Sequence, residues 1–513
     1  MTAFADVVAT ARIVGGTSSR TAKIALLADL LRRVEPSEVE PTIGFLVAAP
    51  RQGKLGVGFR TIGDLAVKPA EQPTLTVAVV DAAVTRLAEA AGSGSTAARH
   101  DEVAALWALA TSGEQDYLAG VLLGEVRIGA LAGVVTDAIA LAAGMPAEPV
   151  RRAVMLTGSL GWTAYLALTG TLADIEAVGL TVGVPVLPML ASTAPDVAAA
   201  LMIVGEGVPA SVEVKLDGAR IQVHRAAGPG SDVTVYTRNL ADITPRVPEI
   251  VEVVSGFPGG SLILDGETLS LDEDGGPRPF QETMSRFGST TSRAEVLRPW
   301  FFDVLHADGQ DLLDAPLSVR RDVLAKVVGA HGISAVETSD PAVAEDFSRA
   351  ALAAGHEGVL VKALSSPYAA GRRGKHWVKV KPVHTFDLVV LAAEWGSGRR
   401  VGWLSNLHLG ARDPRVPLGE KGDFVMVGKT FKGLTDATLT WQTEALLARE
   451  IRRTTYAVHV RPELVVEIAI DGVQRSSRYP GGVALRFARV KGYRPDKRAA
   501  DADTIETLRA MLR

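Results

Sequence analysis

The sequence predicts a multidomain chain with an all-α N-terminal region, a mixed α/β region in the middle and a small β-barrel at the end. Three observations carry that expectation. The length, 513 residues, exceeds what one hydrophobic core usually organises and suggests about three domains. Up to about residue 190, apolar residues recur at three- and four-residue spacing, the signature of helices with one buried face. Beyond that point the spacing changes to short apolar or alternating runs bounded by Gly, Asp and Pro, as in strands.

Taken in order, Thr21–Val34 (TAKIALLADLLRRV) and Asp101–Ala110 (DEVAALWALA) typify the helical part, rich in Ala and Leu. Val182–Pro195 (VGVPVLPMLASTAP) carries three prolines and is expected to act as a linker. Val212–Val214, Ile221–His224, Val233–Thr237, Leu262–Leu264 and Gly358–Lys362 are the strand candidates of the middle region. Asp387–Ala392, Leu404–Leu409, Phe424–Val427 and Leu464–Ala469 are those of the last, where several short strands with glycine-rich turns suggest a barrel. The boundaries expected are 1–190, 191–384 and 385–513.

Composition excludes some classes. The chain has no cysteine, which removes disulfide scaffolds and thiolate zinc sites. None of the nine histidines has metal-ligand spacing. The first residues lack the basic start and apolar run of a secretory signal. No stretch approaches the ~18 uninterrupted apolar residues of a membrane helix. A cytoplasmic protein is expected. Net charge is −4, but residues 388–513 hold 21 Lys and Arg against 14 Asp and Glu, a local balance of +7. That asymmetry is compatible with a phosphate backbone as partner, and equally with a solvated charged surface.

The chemistry centres on Glu213-Val214-Lys215-Leu216-Asp217-Gly218-Ala219-Arg220. A lysine between strand-like residues and Asp-Gly stands at a strand end, entering a tight turn. A nucleophilic lysine needs such a fixed position, with partial burial and cationic neighbours. Further along, LILDGETL places Glu267 at the end of an apolar run, and WFFDVL sets aromatics beside Asp303. EGVLVK puts Glu357 before a strand and a lysine at its end. SPYAAGRRGKHWVKVK ends in Lys379 and Lys381, which period-two alternation aims one way. LRFARVKGYRPDK clusters Arg486, Arg489, Arg494 and Lys497. Two carboxylates for a metal, several cations for phosphates and one reactive lysine form a coherent nucleotidyl-transfer set.

In this arrangement the chain resembles ATP-dependent ligases and capping-type nucleotidyltransferases over residues 185–500. Lys215-Leu216-Asp217-Gly218 matches the nucleotide-accepting motif. Segments around Arg238, Glu267, Phe302, Glu357, Lys379/Lys381 and Arg494–Lys497 match the others in order. Pro188–Ala191, Val126–Gly129, Phe280-Gln281 with Arg286, and Val427–Thr435 are similar to bacterial three-domain DNA ligases of the ligase B group. That resemblance implies a helical DNA-binding domain, an antiparallel-rich nucleotidyltransferase (adenylation) domain and an OB-fold. It implies ATP and Mg²⁺ as cofactors and nicked duplex DNA as partner. The enzyme would be a nucleoid-associated monomer encircling DNA in repair, replication or recombination.

By the same resemblance Lys215 would attack the α-phosphate and carry AMP. Glu213 would sit beside the adenine and Phe302 would stack on it, while Arg220 and Glu267 would meet the ribose or phosphate. Glu267 and Glu357 would ligate Mg²⁺. Arg238 would contact the nick phosphate or the adenylate, and Arg373, Lys379 and Lys381 the α-phosphate. Arg494 and Lys497, beyond a hinge at Pro382–Asp387, would orient pyrophosphate. Arg486-Phe487-Ala488-Arg489 departs from the usual Phe-Pro-Arg form there. Capping enzymes and RNA ligases share the lysine motif but generally lack a large helical domain in front. NAD-dependent ligases normally carry a four-cysteine zinc module. A decayed, non-catalytic ligase would have lost Lys215 or a motif carboxylate.

Overall fold

The computed structural model describes residues 1–512 apart from 127, 130, 131, 229, 231, 272–277, 279–295, 370 and 372. Arg127, Phe280-Gln281 and Arg286, named above, lie outside the described residues.

Before residue 182 the regular elements are helices, among them Phe4–Gly16, Arg20–Leu31, Val77–Glu89, Ser95–Leu109, Ser112–Leu123, Ala132–Ala143 and Ala147–Thr157. Local signals set their ends. Ser19 Oγ accepts from the Ala22 amide at the start of one helix. Thr111 and Glu114 form a reciprocal capping box at another, which stops at Gly124 with φ 71°. The apolar stripes converge on one core that includes Phe4, Leu27, Leu30, Ile43, Val80, Val84 and Leu106. Among the described residues no helix is long and apolar enough to cross a membrane.

The middle region is built on two sheets. Its strands are β1 (Leu190–Thr193), β2 (Ala210–Lys215), β3 (Ala219–Arg225), β4 (Val233–Thr237), β5 (Leu262–Ser270), β6 (Leu297–Ala307), β7 (Gln310–Asp311), β8 (Ala335–Thr338), β9 (Gly358–Ala363) and β10 (Arg373–Val380). One sheet has the order β1-β10-β9-β2-β8 and the other β4-β3-β5-β6-β7. All pairings are antiparallel except β1 with β10. The Val182–Pro195 segment, expected as a linker, thus supplies a strand. Its prolines flank β1 rather than interrupt it, and Val186 and Met189 are buried against Ile263, Leu305, Tyr368 and Trp377.

The last region comprises β11 (His384–Trp395), β12 (Leu404–Arg412), β13 (Phe424–Thr430), β14 (Glu450–Arg453), β15 (Ala457–Val460), β16 (Val465–Ile470), β17 (Gly472–Arg475), β18 (Val483–Arg486) and β19 (Arg489–Tyr493). Seven of them form one sheet, in which β11 pairs with β12, β15 and β16. β17 and β18 form a separate hairpin. Alternate residues of β11, β12 and β16 fill a core around Leu388, Val390, Leu407, Leu409, Val466 and Ile468. The N-terminal part is therefore helical and the C-terminal part sheet-rich.

Candidate functional site

Strand β2 ends at Lys215, and after three intervening residues β3 begins in the other sheet, so the Leu216–Gly218 turn bridges the two sheets. Backbone crowding fixes this corner. A Cβ on Gly218 would stand 2.3 Å from the Thr268 carbonyl oxygen. Opposite Lys215 in the ladder is Gly358, with φ 147°, where a Cβ would come 2.2 Å from the Val380 oxygen. Only glycine fits either place without moving backbone.

A cavity of about 530 Å³ opens between the sheets at this corner. It is lined by Glu213, Lys215, Arg220, Arg238, Glu267, Phe302, Arg373, Trp377 and Lys379, together with Met189–Ala191 and Leu360. Eight of the residues expected to bind nucleotide or to react are therefore brought to one pocket. Glu357 and Lys381 stand beside it rather than in its wall. Lys215 Nζ forms an ion pair with Glu357 Oε2, and Lys381 Nζ approaches Glu357 Oε1 to 2.9 Å. Burial disfavours the charged form of Glu357, but Lys215 and Lys381 outweigh it and hold the carboxyl below its usual range. Lys379 is shifted down, first by burial and then by repulsion from Lys381 and Lys215.

At the inner end of the pocket Arg220 and Asp265 are fully partnered. Arg220 donates to both oxygens of Asp265, at 3.0 and 2.6 Å, and to the Met189 carbonyl at 2.7 Å. The Tyr368 hydroxyl donates to Asp265 Oδ2 at 2.5 Å and accepts from the Met189 amide at 3.0 Å. Phe302 and Trp377 meet edge to face with centroids 6.0 Å apart. Glu267 faces Lys215 and Arg220, yet burial outweighs both and pushes its carboxyl up to about 7. At the mouth Arg238 and Arg373 are exposed.

Arg494 and Lys497, expected to orient pyrophosphate from the last region, do not line this pocket. Arg494 Nη1 lies 3.3 Å from both Asp387 oxygens, its other nitrogens pair with Asp496 at 2.9 and 2.6 Å, and Lys497 also pairs with Asp387. These carboxylates, on β11 and just after β19, neutralise the cations within the last region. A different residue of that region reaches the corner. Arg486 donates to both oxygens of Asp217, at 2.6 and 3.0 Å, and Asp471 pairs with Lys381 at 2.5 Å. The basic cluster at 486–497 marked Arg486 in the sequence, but nothing marked Asp471 or the Tyr368–Asp265 contact, whose partners lie 103 residues apart.

Among the described residues no three His, Asp or Glu side chains cluster as a metal site. Glu267 and Glu357 nonetheless offer two carboxylates on either side of Lys215. A hard cation would suit them, with phosphate oxygens and water completing the shell.

Comparison with known proteins adds to the geometry. Residues 188–381 match the family described as the ATP dependent DNA ligase domain, 400–497 the ATP dependent DNA ligase C terminal region, and 64–140 the DNA ligase N terminus. A probable DNA ligase of Pseudarthrobacter chlorophenolicus is 61% identical over 508 residues, 99% of both chains. One of Rhodococcus jostii is 55% identical over 509 residues, again 99% of both. The solved structure described as "Pmar-Lig_Pre." covers 95% of this chain and 99% of its own, with TM-score 0.65 at 17% identity, a likeness of fold alone.

Proposed function

The chain belongs to the ATP-dependent DNA ligase family, and on that premise we propose that it seals nicks in duplex DNA through a lysyl-AMP intermediate on Lys215. The observation that carries this reading is the position of the Lys215 amine, at the end of β2, in the wall of a pocket shared with Lys379, Arg373 and Arg238. In the first step the Lys215 nitrogen, having lost its proton, bonds to the α-phosphorus of ATP and pyrophosphate leaves. Glu357, already paired with Lys215, is placed to take that proton or to orient the amine. The AMP then passes to the 5′-phosphate of the nick, and the 3′-hydroxyl displaces it, closing the strand. Negative charge grows on phosphoryl oxygens at each step, so the work of the chain is positioning and cationic stabilisation.

Within this reading the adenine lies at Glu213 with Phe302 on its face, and the ribose near Arg220 and Glu267. Lys379, Lys381, Arg373 and Arg238 neutralise phosphates. Glu267 and Glu357 would hold Mg²⁺, which supplies charge neutralisation at the phosphates when bound. The domains assigned are a helical DNA-binding domain (1–190), an adenylation domain (191–384) and an OB-fold (385–513). In this arrangement Arg486 and Lys381 tie the last domain over the Lys215 corner. Arg494 and Lys497 would reach pyrophosphate only if they exchange Asp387 for it in another orientation of that domain. The working form is a monomer around nucleoid DNA in the cytoplasm, serving repair, replication or recombination.

The test is incubation with α-labelled ATP and Mg²⁺, then denaturing electrophoresis of wild type and Lys215→Ala, with chases of nicked DNA and nicked RNA. Label on wild type only, discharged as the DNA nick closes, is expected. The variant should still seal a nick that already carries AMP on its 5′-phosphate. Label that persists with DNA and leaves with RNA would overturn the DNA assignment. No label, after pre-bound AMP has been removed with pyrophosphate, would overturn the intermediate.

A further inference from the structure

We propose that Lys362 sets the base selectivity of the pocket, by holding the Glu213 carboxylate as an acceptor for the exocyclic amine of adenine. This rests on the nucleotide reading above, which places adenine at Glu213 but assigns Lys362 nothing.

Lys362 is wholly buried, an unusual fate for a lysine. Its ammonium lies 4.1 Å from the centroid of Trp377 and 4.7 Å from that of Phe302. It donates to the Phe302 carbonyl at 3.2 Å. Among the described residues its charge has one close counter-ion, Glu213 Oε2 at 2.6 Å, and Glu213 is itself only 1% exposed. A buried ion pair is a weak source of stability, since desolvating both charges offsets most of their attraction. The rings already provide an apolar setting that a methionine could fill. The pair is therefore better explained by what it does to the pocket than by what it adds to folding.

The two oxygens of Glu213 are treated differently. Oε1 accepts from Ser211 at 3.0 Å and from Arg321 at 3.1 Å. Oε2 has the Lys362 charge beside it but no aligned hydrogen bond. That oxygen belongs to a residue lining the pocket, and with a single ammonium beside it a carboxylate oxygen still has a lone pair for a further donor. The 6-amino group of adenine is such a donor. Guanine presents an acceptor, O6, at that edge and would meet the carboxylate lone pair against lone pair. A purine with hydrogen at position 6 would leave Oε2 unmatched. Lys362 touches no base in this account. It acts through Glu213, as a positioning residue that fixes the direction and the charge of the acceptor.

The experiment uses the full chain, stripped of bound AMP, and reads the rate of self-labelling with ATP, GTP and purine riboside triphosphate. Wild type should prefer ATP over purine riboside triphosphate by roughly 10- to 100-fold, the range of one hydrogen bond to a charged group. Lys362→Met should bring that ratio to within about threefold by slowing ATP alone. A purely structural role would slow both nucleotides together and leave the ratio intact. Lys362→Met with a wild-type ratio, while Glu213→Gln loses it, overturns the role of Lys362 and spares the nucleotide reading. A wild-type ratio in Glu213→Met, which keeps no acceptor, overturns the placement of adenine itself. Should Lys362→Met fail to fold, because it strands a buried carboxylate, the doubly neutral Glu213→Gln/Lys362→Met chain replaces it. Its ratio should equal that of Glu213→Gln, and a further fall would show Lys362 acting independently of Glu213, against the proposal.

Discussion

The two ends of the pocket are held by opposite kinds of electrostatics. At the inner end every charge has a buried counterpart: Arg220 with Asp265, Glu213 with Lys362 and Arg321. Asp265, Glu213 and Lys362 are shielded from water, and Arg220 holds Asp265 through two hydrogen bonds. At the outer end Lys215, Lys379 and Lys381 crowd around one carboxylate, Glu357, and two of the supporting pairs, Arg486–Asp217 and Lys381–Asp471, cross to another region of the chain. The inner end is built to stay the same whatever is bound. The outer end has partners that can be traded for phosphate oxygens, as the reaction proposed above, with its three successive phosphoryl substrates, requires.

The contrast can be broken most sharply at Arg220. Arg220→Met strands the Asp265 carboxylate, which is 1% exposed, and should cost on the order of 3–5 kcal/mol of stability. Denaturant melts measure it, and a loss under about 1 kcal/mol would mean that the inner end is not pre-built.

A smaller effect comes from Glu267, between the two ends. Its carboxyl binds a proton more tightly in the fold, at about 7 against an ordinary 4.5. Stability from that protonation is complete below pH 4.5 and is lost as pH rises through 7. The ligand-free Glu267→Gln protein should therefore gain on wild type as pH rises from 5 to 8, by at most about 3 kcal/mol. Melts at several pH values follow the gap, and parallel curves would refute it.

The smallest effect is expected at the outer end. Arg486 and Asp217 are part-exposed, so their pair contributes little to stability, about 1 kcal/mol or less. Arg486→Ala should slow self-adenylation a few-fold, as expected from a contribution of about that size, and leave sealing of pre-adenylated nicks unchanged. Equal slowing of both would remove the distinction between a fixed and an exchangeable end.

Much of this was legible in the sequence because it is local. Lys215 before Asp-Gly announces a strand end and a turn, and the alternating runs at 221–224, 233–237 and 404–409 became strands β3, β4 and β12. Eight pocket residues were found because each sits inside a short motif. What was not legible depends on contacts between distant segments. Tyr368 looks like an ordinary loop aromatic until β1 brings Met189 to its hydroxyl, 179 residues away in sequence. Asp471 and the buried lysine of EGVLVK carried no signal of a partner. Arg494 and Lys497 were expected to orient pyrophosphate, but their position depends on how the last region is oriented, which no short motif encodes.

The strand drawn from the proline-rich segment has a mechanical corollary. The Leu187 amide is bonded to Met155 of the helical region, and the Met189 amide and carbonyl are bonded to Tyr368 and Arg220 at the inner pocket. Two residues of chain span at most about 7 Å, so there is no slack between these anchorages. Any swing of the helical region must either open the Leu187 bond or tug on the floor of the pocket. The tether between the two regions is thus also a gauge, registering on one side how far the other has moved.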